Sequence, residues 1–229
     1  QHWNRLRPSD PPARPLVRLV LAVSLDGRLA PASGGAAQLG GEGDRRALEK
    51  ALAWGDACLI GAGTLRAHQC TCLIRNASLI AQRVAEGRGE QPAAVVVSHG
   101  HDFPQTWRFF QQPLPRWLLA PAAAEQGFDR WLPLGDSWDE RLGRLAALGV
   151  GRLVLLGGAQ LTADLLQADA VDELQLTLVP QLLGGEHCWL PLGGEALPEH
   201  LAFDGAWQLQ QAQPLGGNEL MLCYRRQRG

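Results

Sequence analysis

Apolar and polar positions follow two different patterns along the chain, and together they predict an α/β fold. Short apolar runs bounded by glycine or polar residues are typical of buried strands, whereas apolar positions three and four residues apart predict helices. Strands that alternate with helices favour a largely parallel sheet. The predicted strands are 16–23, 57–60, 93–97, 116–119 and 152–156, and the predicted helices are 44–54, 137–148, 159–168 and a short one that ends at Gly87.

Local residues mark where two of these helices begin. Asp44 is placed to cap the helix that runs to Trp54, and Gly55 is placed to end it. Ser137 and Glu140 have the spacing of a capping box, in which the two residues satisfy each other's backbone N–H groups. The sequence therefore predicts helix starts at residues 44 and 137.

The pattern changes after residue 170. Residues 171–179 alternate, with Leu at 174, 176 and 178, which predicts a strand with one buried face. Two further runs, 207–213 and 219–225, flank a Gly-rich turn at 214–218 and are typical of an antiparallel hairpin. We expect a flexible Arg- and Pro-rich lead-in at 1–13. From residue 14 onwards we expect one three-layer α/β/α domain with a mostly parallel sheet and a C-terminal antiparallel hairpin.

The composition narrows the class of protein. The 229 residues carry 21 basic and 23 acidic side chains, a net charge of −2, with no basic stripe, so no nucleic-acid partner is expected. No run of about 18 apolar residues is present, so no membrane partner is expected. The five cysteines form no C-x-x-C pair, which indicates free thiols in a reducing cytoplasm. No metal site is predicted around His68, Cys70 and Cys72.

Small or polar residues follow four of the predicted parallel strands, at 24–27, 61–64, 98–100 and 157–158. In open α/β sheets, ligands bind where such turns meet at the carboxyl ends of strands. The pair at 157–158 precedes a helix whose first N–H groups suit a phosphate, so it is a candidate pyrophosphate cradle or, equally, a plain tight turn. Residues 61–66 do not complete a dinucleotide fingerprint, and no P-loop or G-x-S-x-G elbow occurs.

Several ordered motifs carry a resemblance to a known family. They include Ser-Leu-Asp-Gly within 14–28 and Leu-Gly-Gly-Ala-Gln-Leu at 156–161, and the others lie at 32–34, 56–64, 164–174 and 179–184. In these motifs the chain resembles the reductase domain of the riboflavin-biosynthesis deaminase/reductase family, which has a dihydrofolate-reductase-like fold. The zinc-site signature of the family's deaminase half, H-x-E with P-C-x-x-C, is absent.

The resemblance implies an NADPH-dependent reductase, without excluding NADH, that acts as a homodimer on a phosphorylated small molecule. The family reduces 5-amino-6-(5-phosphoribosylamino)uracil to its ribitylamino form by hydride transfer to the sugar C1′. The protein's task would be to hold nicotinamide and sugar face to face and to exclude water. The resemblance leaves the catalytic residue unassigned.

The resemblance also implies which residues bind the cofactor. Ala22 and Thr64 would contact the nicotinamide half, His68 would reach a ribose, and Ser98 or His99 would approach the adenosine end. The diphosphate would lie on Gly157, Gly158, Ala159, Gln160 and Leu161.

On the substrate side, the resemblance places Arg75 as the donor to a phosphate. Asp26 lies in the loop beside the reacting centre, where capping of the turn into Gly27 is favoured over a substrate contact. The remaining substrate-side positions are Ala36, Cys72 and Leu156.

Departures from the family pattern cluster on this substrate side. Residues 67–73 lack the family's acidic residues, Leu156 replaces a glutamate, and Ala36, Gln38 and Leu52 replace a serine, a tryptophan and an arginine. Each lost charge-assisted contact removes about 1.5–3 kcal/mol. Three hypotheses follow: an active reductase of this or a related pterin or pyrimidine substrate, a degenerate paralogue that binds nucleotide without turnover, and a dihydrofolate-type reductase, which rests on fold alone.

Overall fold

The computed structural model describes residues 14–34, 39–190 and 196–228. The predicted lead-in at 1–13 and the substrate-side position Ala36 lie outside the described residues. The strands are Leu16–Ser24 (β1), Ala57–Gly61 (β2), Ala93–Val97 (β3), Arg116–Ala120 (β4), Arg130–Pro133 (β5), Arg152–Leu155 (β6), Glu173–Val179 (β7), Trp207–Gly216 (β8) and Glu219–Arg226 (β9). The helices are Glu42–Trp54 (α1), Ala62–His68 (α2), Ala77–Ala85 (α3), Trp138–Ala147 (α4) and Ala159–Gln167 (α5).

All of these strands join one sheet, in the order β5-β4-β3-β2-β6-β1-β7-β9-β8. Strands β1 to β7 pair in parallel, and β9 pairs antiparallel with both β7 and β8. The prediction of a mostly parallel sheet with a C-terminal antiparallel hairpin is confirmed. The carboxyl ends of β3, β2, β6, β1 and β7 therefore lie side by side along one edge of the sheet, which we call the carboxyl rim.

Apolar side chains cover both faces of the sheet. Val17 and Leu19 of β1 are fully buried against a cluster that includes α4 and α5, while Val20 packs on the opposite face with α1, α2 and α3. Alternate residues of a strand point to opposite faces, so the apolar run of β1 supplies both cores. The three-layer arrangement is confirmed.

Two elements were not predicted because their sequences carry little periodic signal. Helix α2 follows β2 without a loop, but only Ala62 and Leu65 of its seven residues are buried. Strand β5 has a single buried residue, Leu132, among four. Both elements are formed by tertiary contacts that short windows of sequence do not encode.

The helix that Asp44 was expected to cap begins two residues earlier, so that prediction is wrong. Helix α1 starts at Glu42, with Gly41 as an N-cap that provides no side-chain hydrogen bond. Asp44 lies in the first turn, where it interacts with strand β7. For α4, Ser137 Oγ accepts a hydrogen bond from Glu140 N at 3.2 Å as predicted, although the Glu140 carboxylate accepts one residue earlier than a capping box requires.

Candidate active site

The turn at the end of β6 lies at the centre of the carboxyl rim, between β2 and β1. Gly157 and Gly158 both have φ of +95°, a conformation that side-chain-bearing residues rarely adopt. A Cβ on Gly157 would lie 2.7 Å from Leu21 Cδ2, and one on Gly158 would lie 2.9 Å from Thr64 Oγ1. Both the backbone conformation and the surrounding space therefore require glycine at these positions.

Two of the predicted cofactor positions, Thr64 and Gly158, are brought side by side by this turn. Thr64 lies in α2, which follows β2, and Gly158 precedes α5, which follows β6. Leu161 lies beside both strand ends: its Cβ is 3.8 Å from the position that a Cβ on Gly61 or on Gly158 would take. Residues that are distant in sequence thus form one continuous surface at the rim.

Helix α5 presents unpaired N–H groups to this surface. Its first intrahelical hydrogen bond runs from Thr162 N to Gly158 O at 2.9 Å, so the N–H groups of Ala159, Gln160 and Leu161 precede the helical ladder. No side chain caps this end, and no acidic residue lies in the first turn. The partial positive charge of a helix N-terminus and the open glycine turn fit the diphosphate of a dinucleotide.

Ala22 lies on β1, which is the next strand along the rim. It pairs with Thr177 of β7 and is partly exposed on the face that carries α1. Leu156, at the end of β6, is partly buried against the apolar cluster of the same face. A leucine at this place offers no charge to a bound substrate, so any anchoring group must come from elsewhere.

Asp26 joins the loop after β1 to the loop after β7. Its carboxylate accepts hydrogen bonds from Ser24 Oγ at 2.5 Å, Gly184 N at 2.7 Å and Leu183 N at 3.1 Å. These bonds, led by that of Ser24, lower the pKa of Asp26 to about 2. Asp26 is thus held ionised as a brace between two rim loops, a wider role than capping the turn into Gly27.

At the predicted adenosine end, the two candidates differ in availability. Ser98 is buried, and its Oγ accepts a hydrogen bond from Gly100 N at 3.1 Å. His99 is exposed beside it at the end of β3. A cavity of about 280 Å³ lies between the loops that follow β3 and β4, and it is lined by residues 101–105 and 124–126.

The segment between α2 and α3 carries the remaining predicted residues. His68 is exposed at the end of α2, Cys72 is exposed, and the Arg75 side chain is exposed. The buried Glu49 of α1 holds the segment in place, because its Oε2 accepts from Arg75 N at 2.9 Å and from Asn76 N at 2.8 Å. The Arg75 guanidinium therefore projects from a fixed backbone.

One group at the rim was not predicted from the sequence as functional. Asp44 of α1 interacts with Thr177 of β7, and Glu219 of β9 lies close enough to influence it. Glu219 Oε1 accepts from Gly41 N at 2.6 Å. Burial raises the pKa of Asp44, a hydrogen bond from Thr177 acts in the opposite direction, and the charge of Glu219 raises it further. The contributing residues are far apart in sequence, so no local motif could reveal them.

Metal-binding clusters, disulfides and membrane-spanning helices are absent from the described residues. Among residues 14–34, 39–190 and 196–228, no group of three or more His, Cys, Asp or Glu side chains could hold a metal ion. All five cysteines are free thiols, and burial raises the pKa of Cys58 to about 12. No helix in the described part of the chain combines the length and apolar character needed to cross a bilayer.

Comparison with known proteins places this geometry in context. A curated relative, the 2,5-diamino-6-ribosylamino-4(3H)-pyrimidinone 5′-phosphate reductase of Archaeoglobus fulgidus, is 27% identical over 193 residues, which cover 80% of this chain and 88% of the relative.

Solved structures share the fold at lower identity. The diaminohydroxyphosphoribosylaminopyrimidine deaminase/5-amino-6-(5-phosphoribosylamino)uracil reductase of Thermotoga maritima superposes with a TM-score of 0.75 at 17% identity, covering 93% of this chain and 57% of that one. Dihydrofolate reductase from Enterococcus faecalis, complexed with NADP(H), gives a TM-score of 0.56 at 13% identity over 93% of this chain and 97% of its own. The dihydrofolate-reductase-like fold is confirmed.

A family model, that of the RibD C-terminal domain, matches residues 15–216. The matched region runs from β1 through β8 and contains the glycine turn, Thr64 and the N-terminus of α5. The chain belongs to the RibD C-terminal domain family.

Proposed function

We propose that the protein is an NADPH-dependent reductase of riboflavin biosynthesis that converts the ribosylamino group of a phosphorylated aminopyrimidine to a ribitylamino group. The observation that carries the proposal is the contact of Gly158 with Thr64 in front of the uncapped α5 N-terminus, at the centre of the carboxyl rim. This surface suits a dinucleotide diphosphate, and it lies in a chain of a reductase family.

Each part of the rim has a separate task in this proposal. The reduced nicotinamide, when bound, supplies a hydride to C1′ of the ring-opened imine form of the sugar. The N–H groups of Ala159, Gln160 and Leu161 bind the diphosphate, and the glycine turn allows close approach of the backbone. Ala22 leaves room for a flat ring over β1, and Arg75 binds the substrate phosphate. His68 binds a ribose of the cofactor, and His99 contacts its adenosine end.

The identity of the substrate's pyrimidine ring is the part of the proposal that the residues of the rim constrain least. The Archaeoglobus fulgidus relative is named for a 2,5-diaminopyrimidinone and the Thermotoga maritima protein for an aminouracil. Our leading candidate is 5-amino-6-(5-phosphoribosylamino)uracil, and the 2,5-diamino compound is the second. Both carry the same ribosylamino phosphate, so Arg75 and the rim would treat them alike.

A second function class is a nucleotide-binding paralogue without this turnover. It is favoured by Leu156, which offers no carboxylate beside the glycine turn, and by the segment 68–72, which lacks acidic residues. The two classes differ in catalysis and not in cofactor binding.

One experiment separates these functions. NADPH oxidation is followed by absorbance with each of the two phosphorylated substrates, and NADPH binding is measured in parallel by calorimetry, with NADH as comparison. An active reductase oxidises NADPH only when substrate is present. Tight binding of NADPH without oxidation by either substrate would favour the binding paralogue, and absence of binding would refute both classes.

We also propose a cytoplasmic homodimer. Free thiols at all five cysteines suit a reducing compartment. Sedimentation velocity of the purified protein tests the dimer, which predicts a single species of twice the 24.8 kDa chain mass.

A further inference from the structure

The proposed reaction needs an acid as well as a hydride. When hydride adds to C1′ of a C=N bond, the π electron pair moves to nitrogen, which must take up a proton to give the amine. The nicotinamide is oxidised and the imine is reduced, so a Brønsted acid of the protein completes the balance. This inference rests on the proposed function, because it concerns the same substrate at the same rim.

Two carboxylates near the rim are already committed to other contacts. Asp26 is held ionised by Ser24 and two backbone N–H groups of the loop after β7. Glu49 accepts hydrogen bonds from two backbone N–H groups and has Oε1 3.6 Å from the Arg45 guanidinium. Both carboxylates act as structural acceptors, and neither is arranged to give up a proton.

Asp44 is arranged differently. It lies in the first turn of α1, beside Thr177, whose side chain is 1% exposed. Thr177 is directly opposite Ala22 in the parallel pairing of β7 with β1, and paired residues project from the same face of a sheet. Thr177 thus links Asp44 to Ala22, the position assigned to the nicotinamide half. The Cys72 thiol, on the substrate side, is close enough to interact with Asp44 electrostatically.

The surroundings of Asp44 favour its protonated form. Burial and the negative charge of Glu219 both raise the pKa of Asp44, against the hydrogen bond from Thr177. Glu219 is only 7% exposed, and its Oε2 has no hydrogen-bond partner among the described residues, while Oε1 is fixed by Gly41 N. A buried carboxylate with a spare acceptor therefore lies close enough to Asp44 to act on it through its charge.

We propose that Asp44 is the acid that protonates the imine nitrogen as hydride reaches C1′, with Thr177 and Glu219 as positioning residues. Asp44 is catalytic in the sense that its carboxyl group touches the reacting nitrogen. Thr177 orients that carboxyl group, and Glu219 acts on it through its charge.

The first test replaces the acid and keeps the shape. Asp44→Asn is compared with Glu42→Gln, a control in the same helical turn whose side chain is 71% exposed and is paired with Arg46 at 2.8 Å. General acid catalysis contributes about 10²–10⁴-fold, so kcat of Asp44→Asn should fall at least a hundredfold while the NADPH dissociation constant stays unchanged. Glu42→Gln should keep wild-type kcat. An Asp44→Asn enzyme within about threefold of wild type would overturn the proposal.

The second test uses the pH profile, which a purely structural role would not displace. An acid must be protonated to act, so kcat of the wild type falls as pH rises through the pKa of Asp44. Thr177→Val removes an interaction that lowers this pKa, so the falling limb should move to higher pH. Glu219→Gln removes a charge that raises it, so the limb should move to lower pH. The charged group that acts on Asp44 is Glu219 of β9, and Asp44 in turn raises the pKa of the Cys72 thiol before α3.

Thr177→Val and Glu219→Gln also test the proposal if Asp44→Asn fails to fold. Opposite displacements of the limb by Thr177→Val and Glu219→Gln support Asp44 as the acid, and limbs that both stay at the wild-type position overturn it. Failure of the proposed function gives a different result, because the wild type itself then oxidises no NADPH with either substrate.

Discussion

Replacement of Gly158 by alanine tests the cofactor surface most directly. The new methyl group would lie 2.9 Å from Thr64 Oγ1, so the turn or α2 must shift, and the residue would keep φ near +95°. Backbone strain of this kind costs about 1–3 kcal/mol. A shift of the turn also displaces the first N–H groups of α5. Loss of one charge-assisted hydrogen bond, about 1.5–3 kcal/mol, weakens binding about tenfold to a hundredfold.

The matched control is Gly149→Ala. Gly149 has φ of +87°, close to that of Gly158, but a Cβ there would meet no atom within 4 Å, and it follows α4, outside the rim turns. The assay is calorimetric titration of NADPH into each variant, with thermal unfolding measured alongside. Both variants should lose stability through the same backbone strain, but only Gly158→Ala should lose affinity for NADPH.

The steric part of the effect can be separated with a double-mutant cycle. Thr64→Ala removes the hydroxyl that the new methyl group meets, so combining it with Gly158→Ala should restore part of the stability that Gly158→Ala loses, while the φ strain remains. The reasoning is refuted if Gly158→Ala binds NADPH as the wild type does, or if Gly149→Ala weakens binding equally.

Three further variants test the substrate side, the brace between the rim loops and the core. Arg75→Ala should weaken binding of the phosphorylated substrate about tenfold, with NADPH binding intact in calorimetry, and an equal loss of both would contradict its placement. Asp26 has a pKa of about 2 in the folded chain against 3.8 ordinarily, so its contribution to stability is complete above about pH 4 and is lost towards pH 2; urea unfolding of Asp26→Asn across this range should lack that dependence. Leu165→Ala empties a fully buried position of α5, so chemical denaturation should show a loss of about 2–5 kcal/mol.

Most of the fold was predictable because its core strands carry strong local patterns. The first strand is apolar on both faces, and the helix predicted at 159–168 has leucines at 161, 165 and 166, which the fold buries. Helix α2 and strand β5 were missed, since each buries two residues or fewer and is formed by neighbours distant in sequence. The predicted start of α1 was wrong because Asp44, a residue type that commonly caps helices, interacts with Thr177 of β7 instead.

The candidate site likewise has one part that was predictable from the sequence and one that was not. Gly157 and Gly158 were recognisable because a strand, two glycines and a helix are adjacent in sequence, and the positive φ of both explains why glycine stands there. The contact of Gly158 with Thr64 spans more than ninety residues, and that of Glu219 with Gly41 spans 178. No pattern within one segment could pair them, so the surroundings of Asp44 follow only from the folded chain.

The proposed cofactor side of the rim uses backbone groups, whereas the proposed substrate side uses side chains. This difference accounts for the position of the departures from the family pattern that the resemblance implies. In the proposed function, cofactor binding would depend on backbone N–H groups and on two glycines whose positive φ and close neighbours disfavour any other residue. Substrate binding would depend on single side chains, which can be exchanged one at a time at a loss of about 1.5–3 kcal/mol each. The departures that the resemblance implies at 67–73 and at Leu156 therefore leave the proposed dinucleotide surface unchanged. In the mechanism proposed above, the acid belongs to neither of these parts: it is Asp44 of α1, which interacts with Thr177 on the same face of the sheet as Ala22.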